Sequence, residues 1–176
     1  MNLTGVEVVA LDAAAVSAAI PELSQILIDC VAGGAGVNFM HPLAPEVAAA
    51  YWRSKALPAI ERGDNLLFVA RHGGAILGTV QLVVGMVQNQ PHRGDITKLL
   101  VAPAARRHGI GRALMEAAQT RAAGLGKTLL LLDTETGGLA EQLYLSLGWQ
   151  EVGVVPGFAL TPQGQLCATT FLYKQL

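Results

Sequence analysis

Charge is scarce in this chain. Of 176 residues only 14% are charged against 52% hydrophobic, and 12 basic and 13 acidic residues leave a net charge of −1. A pI of about 6.4 lacks the strongly basic footprint that nucleic-acid binding wants, so no nucleic-acid partner is expected. Cysteine is scarcer still. Cys30 and Cys167 stand far apart, with no CxxC pair and no His/Cys companions, which argues against a disulfide framework and against a metal site. Residues 1–7 lack a basic region followed by an apolar run. No signal peptide is therefore expected, and the thiols read as reduced, in a cytoplasmic protein. Long apolar runs are missing too, although the mean hydropathy is +0.42. A spanning helix needs about 20 mostly apolar residues in a row. The richest stretch, 66–87, is broken by Arg71-His72-Gly73-Gly74 and carries Thr79 and Gln81, so no membrane partner is expected. Repeats, low-complexity tracts and linkers are absent. The expectation is a single domain over 1–176, long enough to bury roughly 70% of its unfolded surface.

What is present is a succession of short periodic segments. Residues 6–11 read as a strand. The Ala-rich stretch 12–31 reads as a helix that Pro21 should interrupt or restart, and Gly33-Gly34-Ala35-Gly36 breaks it. A loop through Phe39, Met40, His41 and Pro42 leads to a second helix over 45–62, ended by Gly63-Asp64-Asn65. Segments 66–71 and 75–87 flank His72-Gly73-Gly74 as a hairpin. Residues 95–102 form a third strand and 109–123 a helix. Residues 128–135 form a strand of the fully buried type, and 139–147 a short helix ended by Gly148. Segments 150–155 and 166–173 are final strands around Thr161-Pro162-Gln163-Gly164-Gln165. The order β-α-α-β-β-β-α-β-α-β-β belongs to the α/β class, with a mixed sheet. Residues 95–135 make a βαβ unit whose strands should run parallel with a right-handed crossover.

Three glycine patterns compete for a phosphate. Gly126-Lys127-Thr128 resembles the tail of a P-loop, but position 121 is Arg121 and the segment leaves a helix for a strand, the reverse of a P-loop. Gly109-Ile110-Gly111 fails the dinucleotide fingerprint because position 114 is Leu114. The third pattern is Arg106-Arg107-His108-Gly109-Ile110-Gly111-Arg112, between the strand ending Leu99-Leu100-Val101-Ala102-Pro103 and a helix. A glycine-rich turn at a helix N-terminus offers unpaired N–H groups and a favourable dipole to an anion. The competing reading of the loop alone is a solvated turn with surface arginines.

Downstream lies Leu139-Ala140-Glu141-Gln142-Leu143-Tyr144-Leu145-Ser146-Leu147-Gly148-Trp149. With the Arg-x-x-Gly-x-Gly turn before it, this arrangement resembles the GCN5-related N-acetyltransferase superfamily over most of the chain. Residues 31–40, Leu132-Asp133-Thr134-Glu135 and the tail from Pro156 to Lys174 look like its tabtoxin-resistance branch, whose substrate is a small amino-acid-like β-lactam toxin.

The resemblance implies a sheet that splays between two parallel strands, those ending at Ala102 and Glu135, with acetyl-CoA as co-substrate in the gap. It implies that the backbone of Leu99, Leu100 and Val101 pairs with the pantetheine arm and acetyl carbonyl. It makes Arg106, Arg107, His108, Gly109, Ile110, Gly111 and Arg112 the pyrophosphate loop, acting largely through backbone N–H groups, and Tyr144 the general acid. A phenol titrates near ~10 and a thiol near ~8.5, so a tyrosine at the right distance can protonate a leaving sulfur. One departure is Gly137, where the family often carries Asn seven residues before the tyrosine.

The general base rests on the residues themselves. Asp133 and Glu135 are two apart on a strand and share a face. They follow four leucines at the C-terminal end, where ligands gather in parallel sheets. Either carboxylate could take the proton of an amine or bind a cation, and Glu135 equally suits a cap on the next helix. His41 sits in a loop that could cover an acceptor pocket, and Trp149 reads as packing. The expected function is N-acetyl transfer from acetyl-CoA to a primary amine of a small molecule, by direct attack in a ternary complex. Two alternatives stay open: acetylation of protein N-termini or lysines, and a non-catalytic acyl-CoA sensor. The resemblance admits a homodimer.

Overall fold

The computed structural model describes residues 5–176; residues 1–4 of the leader expectation lie outside them. Seven strands, β1 (Glu7–Leu11), β2 (Asn65–His72), β3 (Ala75–Val83), β4 (Arg93–Val101), β5 (Leu129–Glu135), β6 (Gln150–Leu160) and β7 (Leu166–Gln175), form one sheet in the order β1-β2-β3-β4-β5-β7-β6. Every neighbouring pair is antiparallel except β4 and β5. The mixed α/β architecture expected from the element order is the one observed.

Helix α1 (Ala13–Ala32) starts at Asp12, whose carboxylate accepts the Ala15 N–H at 2.8 Å. It runs unbroken through Pro21, contrary to expectation. The proline costs one backbone bond, to Ser17, but both residues are exposed, so water can satisfy the freed carbonyl. Among the described residues this is the one helix long and apolar enough to cross a bilayer, contrary to the expectation of none; half of it is buried. Its Val16, Leu23, Leu27 and Val31 pack on Leu67, Val69 and Leu100. The expected second helix is α2 (Pro45–Tyr51), a π-helical turn over Trp52–Ala56, and α3 (Leu57–Glu61). Helix α4 (Ile110–Gly124) covers the other face through Ile110, Leu114, Met115 and Ala118, against Phe68, Val80, Leu82 and Leu130. Helix α5 (Leu139–Ser146) follows β5.

Two strand ends and one burial pattern differ from the sequence reading. Strand β3 ends at Val83 rather than 87, because the Val84 and Gly85 N–H groups both donate to the Asp64 carbonyl and turn the chain away. Strand β6 runs on to Leu160 through an irregularity between Val155 and Ala159 that absorbs Pro156-Gly157-Phe158. Strand β5 is not buried on both faces: Leu130 and Leu132 are buried, Leu129 and Leu131 half-buried, and Asp133 exposed. The turn Gly73-Gly74 holds φ +56° and +86°, the backbone that a two-residue hairpin demands.

Gly78 fixes how closely α4 lies on the sheet. A Cβ there would stand 2.7 Å from the Leu100 carbonyl, 3.1 Å from Leu114 Cδ1 and 3.2 Å from Ile110 Cγ2. Gly78→Ala is expected to cost about 1–3 kcal/mol through overpacking, read as a lower urea midpoint. An unchanged midpoint would mean that β4 and α4 yield without cost.

Candidate active site

Strands β4 and β5 are paired only at Arg93/Leu129, Gly94/Leu130 and Asp95/Leu131. Beyond these pairs the strands diverge, while β4 stays bonded to β3 as far as Val101 and β5 to β7 as far as Glu135. The inner edge of β4 from Ile96 onward therefore borders a cleft of about 790 Å³. Its walls are residues 96–101, the turn before α4, the end of β5, one side of α5 and the glycine loop after α1. Leu99, Leu100 and Val101 line it, yet their side chains belong to the two hydrophobic clusters. Past Asp95 this stretch has no partner on β5, so its backbone edge is open on the cleft side.

The turn before α4 is built by two left-handed residues, Arg107 at φ +66° and Gly109 at φ +79°. Gly109 caps the helix without a side-chain bond, so the first N–H groups of α4 keep no intrahelical partner. Gly111 lines the cleft in this first helical turn, and a Cβ there would meet Leu143 Cδ2 at 3.0 Å. Most of the loop's side chains are engaged elsewhere. Arg106 Nε donates to the Val101 carbonyl at 3.2 Å, turning inward. Arg112 is tied to Ser146 Oγ at 3.0 Å and lies 3.9 Å from Glu116. His108 is exposed, outside the cleft lining, with Nδ1 2.7 Å from the Arg106 carbonyl. Ile110 is buried in the core. Of the three flanking arginines only Arg107 lines the cleft without a side-chain bond or ion pair among the described residues.

Tyr144, on the inner side of α5, is buried and lines the same cleft, its ring 6.1 Å from that of Trp149. Burial, and secondarily the negative charge of Asp133, push its phenol well above the usual tyrosine range. Trp149 is buried in the core and absent from the cleft walls, which is the packing role expected of it. Asp133 is exposed and Glu135 half-buried at the end of β5, both at the cleft. Glu135 does not cap α5: Gly138 holds that position without a side-chain bond, and Glu141 accepts the Gly137 N–H at 2.6 Å. Glu135 Oε2 instead lies toward Gly36, 3.5 Å from where a Cβ would stand there. His41 is exposed and outside the cleft; its N–H donates to the Pro162 carbonyl at 2.9 Å.

Sequence reasoning missed two side chains of the wall. One is Cys30, beside the glycine loop Gly33–Val37. Cys30 is buried, its thiol donating to the Val101 carbonyl at 3.4 Å, and burial raises its pKa, which makes it a poor nucleophile. The other is Lys98, which no motif marks. Both cysteines are free, and among the described residues no group of three His, Cys, Asp or Glu side chains is placed to hold a metal.

Residues 31–149 match the family model described as Acetyltransferase (GNAT) family. An uncharacterized N-acetyltransferase from the hisH-hisA intergenic region of Azospirillum brasilense is 35% identical over 114 residues, 64% of this chain. The match spans 66% of that relative, just under two thirds of its length. Aminoglycoside N(6')-acetyltransferase type 1 of Klebsiella aerogenes is 31% identical over 103 residues, covering 56% of this chain and 68% of the relative. The phosphinothricin acetyltransferase of Sinorhizobium meliloti, solved with acetyl-CoA, superposes with a TM-score of 0.77 over 97% of this chain and 88% of its own, at 18% identity. That identity speaks to the fold alone.

Proposed function

The chain belongs to the acetyltransferase (GNAT) family, and from that premise we propose that it transfers an acetyl group from acetyl-CoA to a primary amine of a small molecule. The observation that carries this reading is the convergence on one cleft of three things: an open strand edge at 96–101, the unpaired N–H groups of α4, and Tyr144 facing Asp133. The cleft fits the donor. An extended amide-bearing arm suits a strand edge, and a pyrophosphate suits a helix N-terminus reached through glycine. Acetyl-CoA supplies the activated acyl group as a thioester.

The roles of the chain's own groups follow. The backbone of Leu99, Leu100 and Val101 holds the donor arm. The backbone of Arg107, His108, Gly109, Ile110, Gly111 and Arg112 holds the phosphates, with Arg107 adding charge and Arg106 bracing the end of β4. Asp133 takes the proton that a substrate ammonium must lose before attack, through water, since it is exposed. Glu135 stands beside it as a second acceptor for cationic groups. Tyr144 gives its proton to the departing sulfur as the C–N bond forms and the C–S bond breaks. Cys30 lines the cleft, but its thiol is buried and donates to the Val101 carbonyl, which favours direct attack over a covalent intermediate. No metal takes part in this scheme, and the protein works in the cytoplasm.

A small acceptor is supported by one relative named for a small-molecule acceptor, the aminoglycoside acetyltransferase. It is supported as well by the likeness of residues 31–40 and 132–135 to the tabtoxin-resistance branch. A screen of CoA thiol release over amino acids, β-lactam analogues, polyamines, aminoglycosides and short peptides tests the reading. Release with at least one small amine well above the acetyl-CoA hydrolysis rate is expected. Acetylation of peptides alone would replace it with protein acetylation, and tight CoA binding without any release would make the protein a sensor.

A further inference from the structure

Lys98 is a charged cleft residue that the scheme above leaves unused. It stands where β3 and β4 slip register between Thr79 and Gln81, at φ +51°, a backbone region that non-glycine residues seldom occupy. Thr79 Oγ1 holds it there by donating to the Lys98 carbonyl at 3.0 Å. The bulge carries the side chain off the regular alternation of β4 and over the ring of Tyr51, with Nζ 5.3 Å from the centroid. Tyr51 is itself fixed. Its hydroxyl donates to Gln81 Oε1 at 3.0 Å, and its ring meets Phe39 and Trp52 edge-on at 5.6 and 5.0 Å. It is the last residue of α2, at the entry to the π-helical turn, an irregularity found frequently at functional sites.

Among the described residues the Lys98 ammonium forms no ion pair. Burial lowers its pKa, while Asp133 acts in the opposite direction. Asp133 is thus close enough to be felt and too far to pair. A π face satisfies a cation from one side only and leaves N–H donors for another partner. The cleft therefore holds a fixed, partly desolvated cation on β4 and a carboxylate at the end of β5, each without an ion-pair partner.

We propose that Lys98 determines acceptor specificity by binding an oxyanion carried by the same small amine whose nitrogen approaches Asp133. The preferred acceptor is then a zwitterion, with a carboxylate or phosphonate near its amine, rather than a simple amine or a polycation. The proposal rests on the small-amine reading above. Hydrogen bonds to charged groups contribute about 1.5–3 kcal/mol, which sets the expected discrimination at about 10- to 100-fold.

The test compares kcat/KM for amino acids, aminoalkylphosphonates and the matching amines without the oxyanion, using unaltered protein, Lys98→Met and Lys98→Arg. The unaltered protein is expected to favour the oxyanion-bearing acceptors by at least about tenfold. In Lys98→Met that ratio should collapse through a rise in KM rather than a fall in kcat, and Lys98→Arg should restore part of it. The two oxyanion arms show which headgroup is read. A parallel loss toward all acceptors in Lys98→Met would mark a purely structural role at the bulge and overturn the proposal. So would a preference for amines without the oxyanion, or an intact-mass gain of one acetyl group mapping to Lys98 itself. Silence with every small amine beside acetylation of peptides would instead remove the reading on which the proposal rests.

Discussion

Tyr144→Phe is expected to lower kcat by about 10²-fold or more while CoA affinity stays near that of the unaltered protein. The buried ring packs against Trp149, and phenylalanine keeps that ring, so no cavity opens and the loss is confined to one hydroxyl. Burial and the charge of Asp133 both raise its pKa. The phenol therefore stays protonated through the range in which acceptor amines begin to lose their protons. Tyr144 should give no falling limb to the pH–rate profile below about pH 10. Single-turnover rates beside calorimetric titration with CoA separate the two effects. An unchanged kcat at every pH would remove Tyr144 from its role, and a parallel loss of CoA affinity would make it a packing residue.

Gly111→Asp should weaken CoA binding by about 2 kcal/mol or more, some 30-fold. Two causes act together. The new Cβ would come within 3.0 Å of Leu143 Cδ2, crowding the helix that carries Tyr144. The carboxylate would also compete with a phosphate for the N–H groups of α4. Because an acid suits the first turn of a helix, the fold should survive what the site does not. Gly111→Ala isolates the crowding and should cost less. Calorimetric titration giving ordinary affinity for the aspartate variant would refute the assignment of this loop to phosphate.

Much of this arrangement was legible in the sequence because its signals are local. Gly73-Gly74 and Gly148 announce backbone that only glycine adopts readily, and both turns are where they were expected. The alternation that puts Asp133 and Glu135 on one face follows from strand geometry alone. What was illegible depends on partners distant in the chain. Nothing in Arg106 or Arg112 reveals that one will bond Val101 and the other Ser146, so the bracing role of these two side chains beside the turn was not legible. Nothing in Lys98 reveals a bulge that exists because Thr79 reaches its carbonyl. Pro21 misled for the opposite reason, since the penalty of a mid-helix proline shrinks when solvent can answer the carbonyl it strands.

The early end of pairing between β4 and β5 has one more consequence. Unpaired strand edges invite intermolecular sheet growth and aggregation, and proteins ordinarily blunt them at the sheet margin. Here an open edge lies in mid-sheet, walled by the glycine loop after α1 on one side and by α5 on the other. A strand from another molecule, with side chains on both faces, would collide with those walls. A thin unbranched chain bearing amides would not. The same gap that exposes the edge thus acts as a gauge for what can add to it, which guards the apo protein against self-association without closing it to its donor.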